Sequence, residues 1–144
     1  MSDVRPLQAR VDGPFIRFST ETTWELTMGY SRAVRCGRFI YVTGTVGIEL
    51  DGTYPPGLAA QTARALRIIH SALQAAGADW RDVVRTRIYT TDIAQWQEIA
   101  SVHGSIFREI RPCTTLVGVA QLIDPQALVE IEVDAILPEL PPGP

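Results

Sequence analysis

Hydrophobic and polar positions alternate with two distinct periods along this chain, and the switches between them mark its elements. Phe39-Ile40-Tyr41-Val42-Thr43 is aromatic and β-branched throughout, the composition of a strand. Gly37-Arg38 makes a turn joining it to Ala33–Cys36, so residues 33–45 are expected to form a hairpin. From Leu58 the period lengthens. Leu58, Thr62, Ala65, Ile69, Ala72, Leu73 and Ala76 recur at three- and four-residue steps, which predicts a helix over 58–76. Arg64, Arg67, Ser71 and Gln74 are expected on its opposite, solvent-facing side, and Gly77 suits a left-handed C-terminal cap.

Period two returns over 82–90. Strict alternation there would put Val84, Thr86, Ile88 and Thr90 on one face and Val83, Arg85, Arg87 and Tyr89 on the other. Asp92 is placed to N-cap a second helix whose apolar side carries Ile93, Trp96, Ile99, Ala100, His103, Ile106 and Phe107. Two further strands, about 114–121 and 128–136, are joined by a turn at Asp124-Pro125. Ahead of the hairpin, residues 1–14 show no period and are expected to be a loose arm. Ile16 and Phe18 suggest a short edge strand, and residues 20–30 suggest a loop carrying Trp24 and Tyr30. The order β, β, α, β, α, β, β, with a possible extra strand first, predicts an α+β layer fold. One mixed sheet would carry two helices on one face.

In the last strand Glu130, Glu132 and Asp134 alternate with Val129, Ile131, Val133 and Ala135. If the apolar set meets the helices, the acids point from the opposite face. There they are either solvated or paired with Arg85 and Arg87, across strands or across subunits.

Composition narrows the function. The chain has 144 residues, 46% of them hydrophobic, and a net charge of −3, which suits one globular domain. All 13 basic residues are arginine and none form a cluster, so a nucleic-acid partner is not expected. No apolar run approaches membrane-spanning length and no signal-like N-terminus is present, so a cytoplasmic protein with no membrane partner is expected. Cys36 and Cys113 are expected to be small buried thiols. Two distant histidines without metal-ligand spacing predict no metal and no cofactor, and His103 is expected to be packed and hydrogen-bonded.

Val129-Glu130-Ile131-Glu132 with Ala135 resembles the closing V-E-I-E-x-x-A strand, and Pro112 the opening of the P-A-R-S strand, of the RidA/YjgF family. Gly29-Tyr30-Ser31-Arg32-Ala33 is similar to G-P-Y-S-Q-A without the proline. Val42-Thr43-Gly44-Thr45, Ala75-Ala76-Gly77, Asp82-Val83-Val84-Arg85-Thr86 and Thr91-Asp92 resemble further family segments. The resemblance covers about residues 29–137. It leaves 1–28 as an N-terminal arm and 138–144 as a Pro-rich tail.

It implies a chorismate-mutase-like homotrimer with clefts between subunits, and a deaminase that hydrolyses small reactive imines or enamines. Glu130 would be the catalytic acid that positions water. Tyr30, Thr43, Gly44 and Thr114 would line the substrate cleft. The family's carboxylate-gripping arginine falls on Thr114, which offers one hydroxyl and no charge; its helix asparagine falls on Ala100. Arg87 or Arg32 would have to replace that anchor. The alternative reading is a non-catalytic trimer that binds a small-molecule ligand. Ribonuclease activity, also described in the family, fits poorly with an acidic chain lacking a histidine pair.

Overall fold

The computed structural model describes residues 2–139. The end of the Pro-rich tail, 140–144, lies outside them. A seven-stranded mixed sheet forms from β1 (Gln8–Asp12), β2 (Phe15–Ser19), β3 (Ala33–Cys36), β4 (Phe39–Val46), β5 (Val83–Thr90), β6 (Cys113–Gly118) and β7 (Val129–Ile136). Their spatial order is β1-β2-β3-β4-β7-β5-β6. All pairings are antiparallel except β5 with β6. The long helices α2 (Leu58–Ala75) and α3 (Trp96–Phe107) pack on each other, and α2 packs on β4 and β7. A short helix α1 (Thr23–Met28) precedes them. This is the expected α+β fold with a third helix added.

The core lies between the sheet and α2. All seven positions assigned to the apolar face of α2 are buried, as are Val129, Ile131, Val133 and Ala135 of β7. The helix ends in a full Schellman motif: Gly77 takes φ +89°, its N–H donates to Gln74 O, and Ala78 N–H donates to Leu73 O at 2.8 Å.

Several expectations are corrected. The arm is not loose: β1 adds a strand to the sheet edge, so β2 is paired on both sides. The loop at 20–30 contains α1. There Thr22 and Glu25 form a reciprocal capping box and Gly29 closes the helix at φ +73°. In β5 the register against β7 shifts between Val83 and Arg85. This bulge keeps both Val83 and Thr86 in the core while Val84 is exposed, which breaks the simple alternation.

Asp92 makes no side-chain cap. A 3-10 turn at Ile93–Gln95 intervenes, Gln95 donates to the Asp92 carboxylate, and Ile93, Trp96 and Ala100 are exposed rather than packed. Strands β6 and β7 are consecutive in sequence but not neighbours, because β5 lies between them. The crossover through α3 makes β6 parallel to β5, on the sheet's other edge. Cys113 is exposed and Cys36 half-buried. Arg64, expected in solvent, is buried.

The bulge generates a direct expectation. Val83→Ala should cost roughly 1–3 kcal/mol in urea unfolding, whereas Val84→Ala should cost less than about 1 kcal/mol. The reverse order of costs would mean that the register shift is absent in solution.

Candidate functional site

The site grows from an irregularity between the two central antiparallel strands. The β4/β7 register slips between Val42 and Thr45, leaving Thr43 and Gly44 as the bulged residues. Val46 is paired with Glu130, which comes from the polar face of β7. A Cβ at Gly44 would collide with the Glu130 carboxylate and lie 3.1 Å from its carboxyl carbon. A side chain at position 44 would force that carboxylate to move.

Glu130 is half-buried, and among the described residues its carboxyl makes no hydrogen bond and no ion pair. Burial holds its pKa above the ordinary carboxylate value. Nearby Arg32 opposes this and Glu132 adds to it. The expectation that Arg85 or Arg87 might neutralise Glu130 is not met, because they serve its neighbours. Arg87 Nη1 lies 3.3 Å from both Glu132 and Asp134, and Arg85 lies 3.9 Å from Asp134. The Tyr89 hydroxyl also donates to Glu132, at 3.1 Å.

Arg32 is the cation beside Glu130. Its Nη2 donates to Gly44 O at 3.3 Å and to the Thr45 hydroxyl, whose own proton goes to Thr43 O at 2.8 Å. The guanidinium lies 5.9 Å from the Tyr30 ring centroid. Burial lowers its pKa, while Tyr30, Glu25 and Glu130 pull it back up.

Glu25 organises the approach to this corner. It is buried, and it accepts hydrogen bonds from the Ser19 hydroxyl at 2.7 Å, the Thr20 N–H at 3.1 Å and the Thr22 hydroxyl at 3.0 Å. Burial alone would raise its pKa, but donors from Thr20, Ser19 and Thr22 together bring it below the ordinary value.

Glu25 lines a neighbouring concavity, whereas Glu130 and Arg32 share a cavity of about 660 Å³. Tyr30, Arg32, Thr43, Gly44 and Glu130 form its polar end, and Trp24, Met28 and Ile123 supply apolar wall. The Tyr54 phenol also lines it, with its pKa pushed up by burial and by the neighbouring Asp124. Four of the expected site residues therefore meet here: Glu130, Tyr30, Thr43 and Gly44.

Two do not. Arg87 lines a separate open concavity of about 800 Å³ with Tyr41, Glu132 and Asp134, on the sheet face away from α2 and α3. Thr43 and Tyr30 border both spaces. Thr114 lies on the edge strand β6, where its hydroxyl is 2.8 Å from that of Thr86. Thr86 is buried and bonds His103 Nε2 of α3 at 3.0 Å. Thr114 is thus on the helix-bearing face, and Glu130 is on the opposite face with β5 between their strands. His103 is packed and hydrogen-bonded as expected, with its pKa lowered by burial. His70 stacks on Trp80 at 4.7 Å and bonds Asp79. Neither histidine lines either cavity.

Sequence reasoning missed Tyr54, Ile123 and Asp124, which reach the cavity from turns that carry no periodic signal. It weighed Arg32 only as one possible anchor; nothing local marks Arg32 as lying beside Glu130.

Comparisons with known proteins bear on the family and the fold. A family profile described as endoribonuclease L-PSP matches residues 21–137. A Mycobacterium tuberculosis protein of the YjgF/YER057c/UK114 family is 48% identical in a structural superposition with TM-score 0.80, covering 85% of this chain and 99% of that one. The Escherichia coli RutC family protein YjgH is 36% identical over 112 residues, 76% of this chain and 84% of its own. Rat 2-iminobutanoate/2-iminopropanoate deaminase is 32% identical over 109 residues, 74% of this chain and 79% of its own.

The raised carboxyl of Glu130 carries a sign. A folded-state pKa above the unfolded one gives stability that is present at low pH and lost as pH rises through the folded value. Glu130→Gln should therefore match wild type in melting temperature near pH 4 and exceed it increasingly above the ordinary carboxylate range. A pH series of thermal melts checks this, and a constant difference at all pH values would refute the assignment.

Proposed function

The chain belongs to the RidA/YjgF family, and from that premise we propose that it is an imine or enamine deaminase that hydrolyses a small reactive metabolite in the Glu130 cavity. The observation that carries the reading is Glu130 itself: a half-buried carboxyl with a raised pKa and no structural partner, beside Arg32 in a partly apolar cavity. The rat relative's description as a 2-iminobutanoate/2-iminopropanoate deaminase supports the same reaction class.

In the proposed reaction, ionised Glu130 takes a proton from water as its oxygen attacks the imine carbon. The carboxyl then returns that proton to nitrogen to give a carbinolamine; as the C–N bond breaks, the carboxylate takes the remaining hydroxyl proton and passes it to the departing nitrogen, so a carbonyl compound and ammonia leave. Nearby Arg32 would hold an anionic substituent, taking the part that Thr114 is unable to play. No histidine stands near enough to serve as the acid or base in RNA cleavage.

The second copy of the chain enters for a geometric reason. The resemblance puts positions 114 and 130 in one cleft, yet in one protomer they occupy opposite sheet faces. They meet only if β6 of one copy lies against the Glu130 cavity of another. The exposed residues of edge strand β6 and the uncovered sheet face support a homotrimer of that kind. Light scattering should give three chain masses; a monomer would remove the intersubunit cleft.

The activity test is semicarbazone competition on imines generated by amino acid oxidase, and by an amine oxidase for carboxylate-free imines. Wild type should accelerate hydrolysis, and Glu130→Gln should lose about 100-fold or more. Arg32→Gln should lose roughly 10-fold or more on carboxylate-bearing imines but not on carboxylate-free ones, with Arg32→Lys intermediate. Hydrolysis absent from wild type but present in Thr114→Arg would favour the alternative, a ligand-binding trimer whose hydrolytic frame is intact. Silence from every variant would overturn the deaminase reading.

A further inference from the structure

The Glu130 cavity has one wall from outside the common family region. The family profile begins at residue 21, yet Val4, Arg5 and Leu7 line the cavity. This N-terminal segment is held by a specific device. Asp3 Oδ2 sits 3.3 Å from Arg64 Nη1, and Asp3 O accepts from Arg64 Nη2 at 2.8 Å. Arg67 adds a 2.6 Å contact to the same carboxylate, but it is largely exposed and weakens as a pin accordingly.

Arg64 differs: only 7% exposed, it also donates from Nε to Ile48 O at 3.0 Å and lies 3.1 Å from Glu49. One buried guanidinium of α2 therefore ties together the N-terminal segment and the loop after β4. Both segments line the cavity. Leu7 packs on the core, and Arg5 Nη2 reaches Leu50 O at 3.5 Å. Leaving Arg64 buried without these partners would cost the desolvation of an unpaired charge, so the segment and the helix stabilise each other.

We propose that residues 2–7 are a specificity wall, pinned by Asp3 on Arg64, that limits the size of what enters the Glu130 cavity. Val4 and Leu7 provide apolar surface facing the occupant, and Arg5 places a cation at the rim. The occupant is then a compact molecule with an apolar body. The inference rests on the Glu130 cavity being the ligand site, but not on its chemistry.

The test uses the full chain with Asp3→Ala, which removes the pin, and Val4→Phe, which leaves the pin and thickens the wall. Hydrogen exchange should rise at residues 2–12 in Asp3→Ala and not in Val4→Phe. The ratio of kcat/KM for phenylalanine-derived over alanine-derived imine should rise about fivefold or more in Asp3→Ala and fall comparably in Val4→Phe.

A second readout is independent of turnover. The fluorescent probe 8-anilinonaphthalene-1-sulfonate, an apolar-bodied anion, should bind more tightly to Asp3→Ala and more weakly to Val4→Phe. If no protein hydrolyses any imine, the deaminase reading falls while the probe still decides the wall. Unchanged exchange in Asp3→Ala would overturn the pin. Probe binding indifferent to both substitutions, or absent throughout, would overturn the wall.

Discussion

Strand β7 is the constraint on which the rest depends. It lies between β4 and β5 and pairs antiparallel with both, so its backbone hydrogen bonds are committed along its length. Its side chains then have no freedom of side. Burying Val129, Ile131, Val133 and Ala135 under the helices obliges Glu130, Glu132 and Asp134 to emerge from the other face. Sliding the strand by one residue would bury three acids. The register is therefore set by the cost of burying charge, and the position of the candidate catalytic carboxyl follows from core packing.

Along that acidic row the surroundings separate the three residues. Glu132 and Asp134 face β5, where Arg87 and Tyr89 satisfy them. Glu130 sits where β4 bulges, so the neighbour at Gly44 is bare backbone without a side chain to donate. Glu132 and Asp134 are engaged by their bonded partners, whereas Glu130, half-buried against the bulge, has its pKa raised by burial and its oxygens left available. The bulge decides which acid of an identical-looking series is chemically distinct.

Much of this was legible in the sequence, for identifiable reasons. The β7 alternation, the α2 face and the hairpin at Gly37-Arg38 are all period signals over enough residues to be unambiguous. The capping box Thr22-x-x-Glu25 was equally present but short, and a six-residue helix has too little periodicity to stand out. The β5 bulge was invisible because an extra residue changes facing without changing composition. β1 lacks a core signal because every residue in it is exposed. The buried Arg64 was placed in solvent because helical spacing records which side a residue is on, not whether another segment crosses over that side. Distant contacts of this kind, Asp3 on Arg64 and Arg32 beside Glu130, leave no trace in local pattern.

If the family's anion anchor falls at position 114, as the resemblance implies, the charge of this chain resides elsewhere. An anchor on β6 would sit on the helix-bearing sheet face of its own protomer, with the orientation of any ligand depending on how two copies meet. Arg32 instead shares a protomer and a cavity with Glu130, and it already opposes the rise in that carboxyl's pKa. In the proposed reaction an anionic substituent on Arg32 would screen this opposition and make Glu130 a stronger base. A positively charged imine would act in the other direction, favouring the ionised carboxylate when water must be deprotonated. A substrate carrying both charges leaves the balance near its resting value, so a base poised by burial need not be reset by binding. In the proposed reaction, a cation in the same protomer and cavity as the carboxyl would thus couple anion recognition to acid–base poise through a single electrostatic interaction.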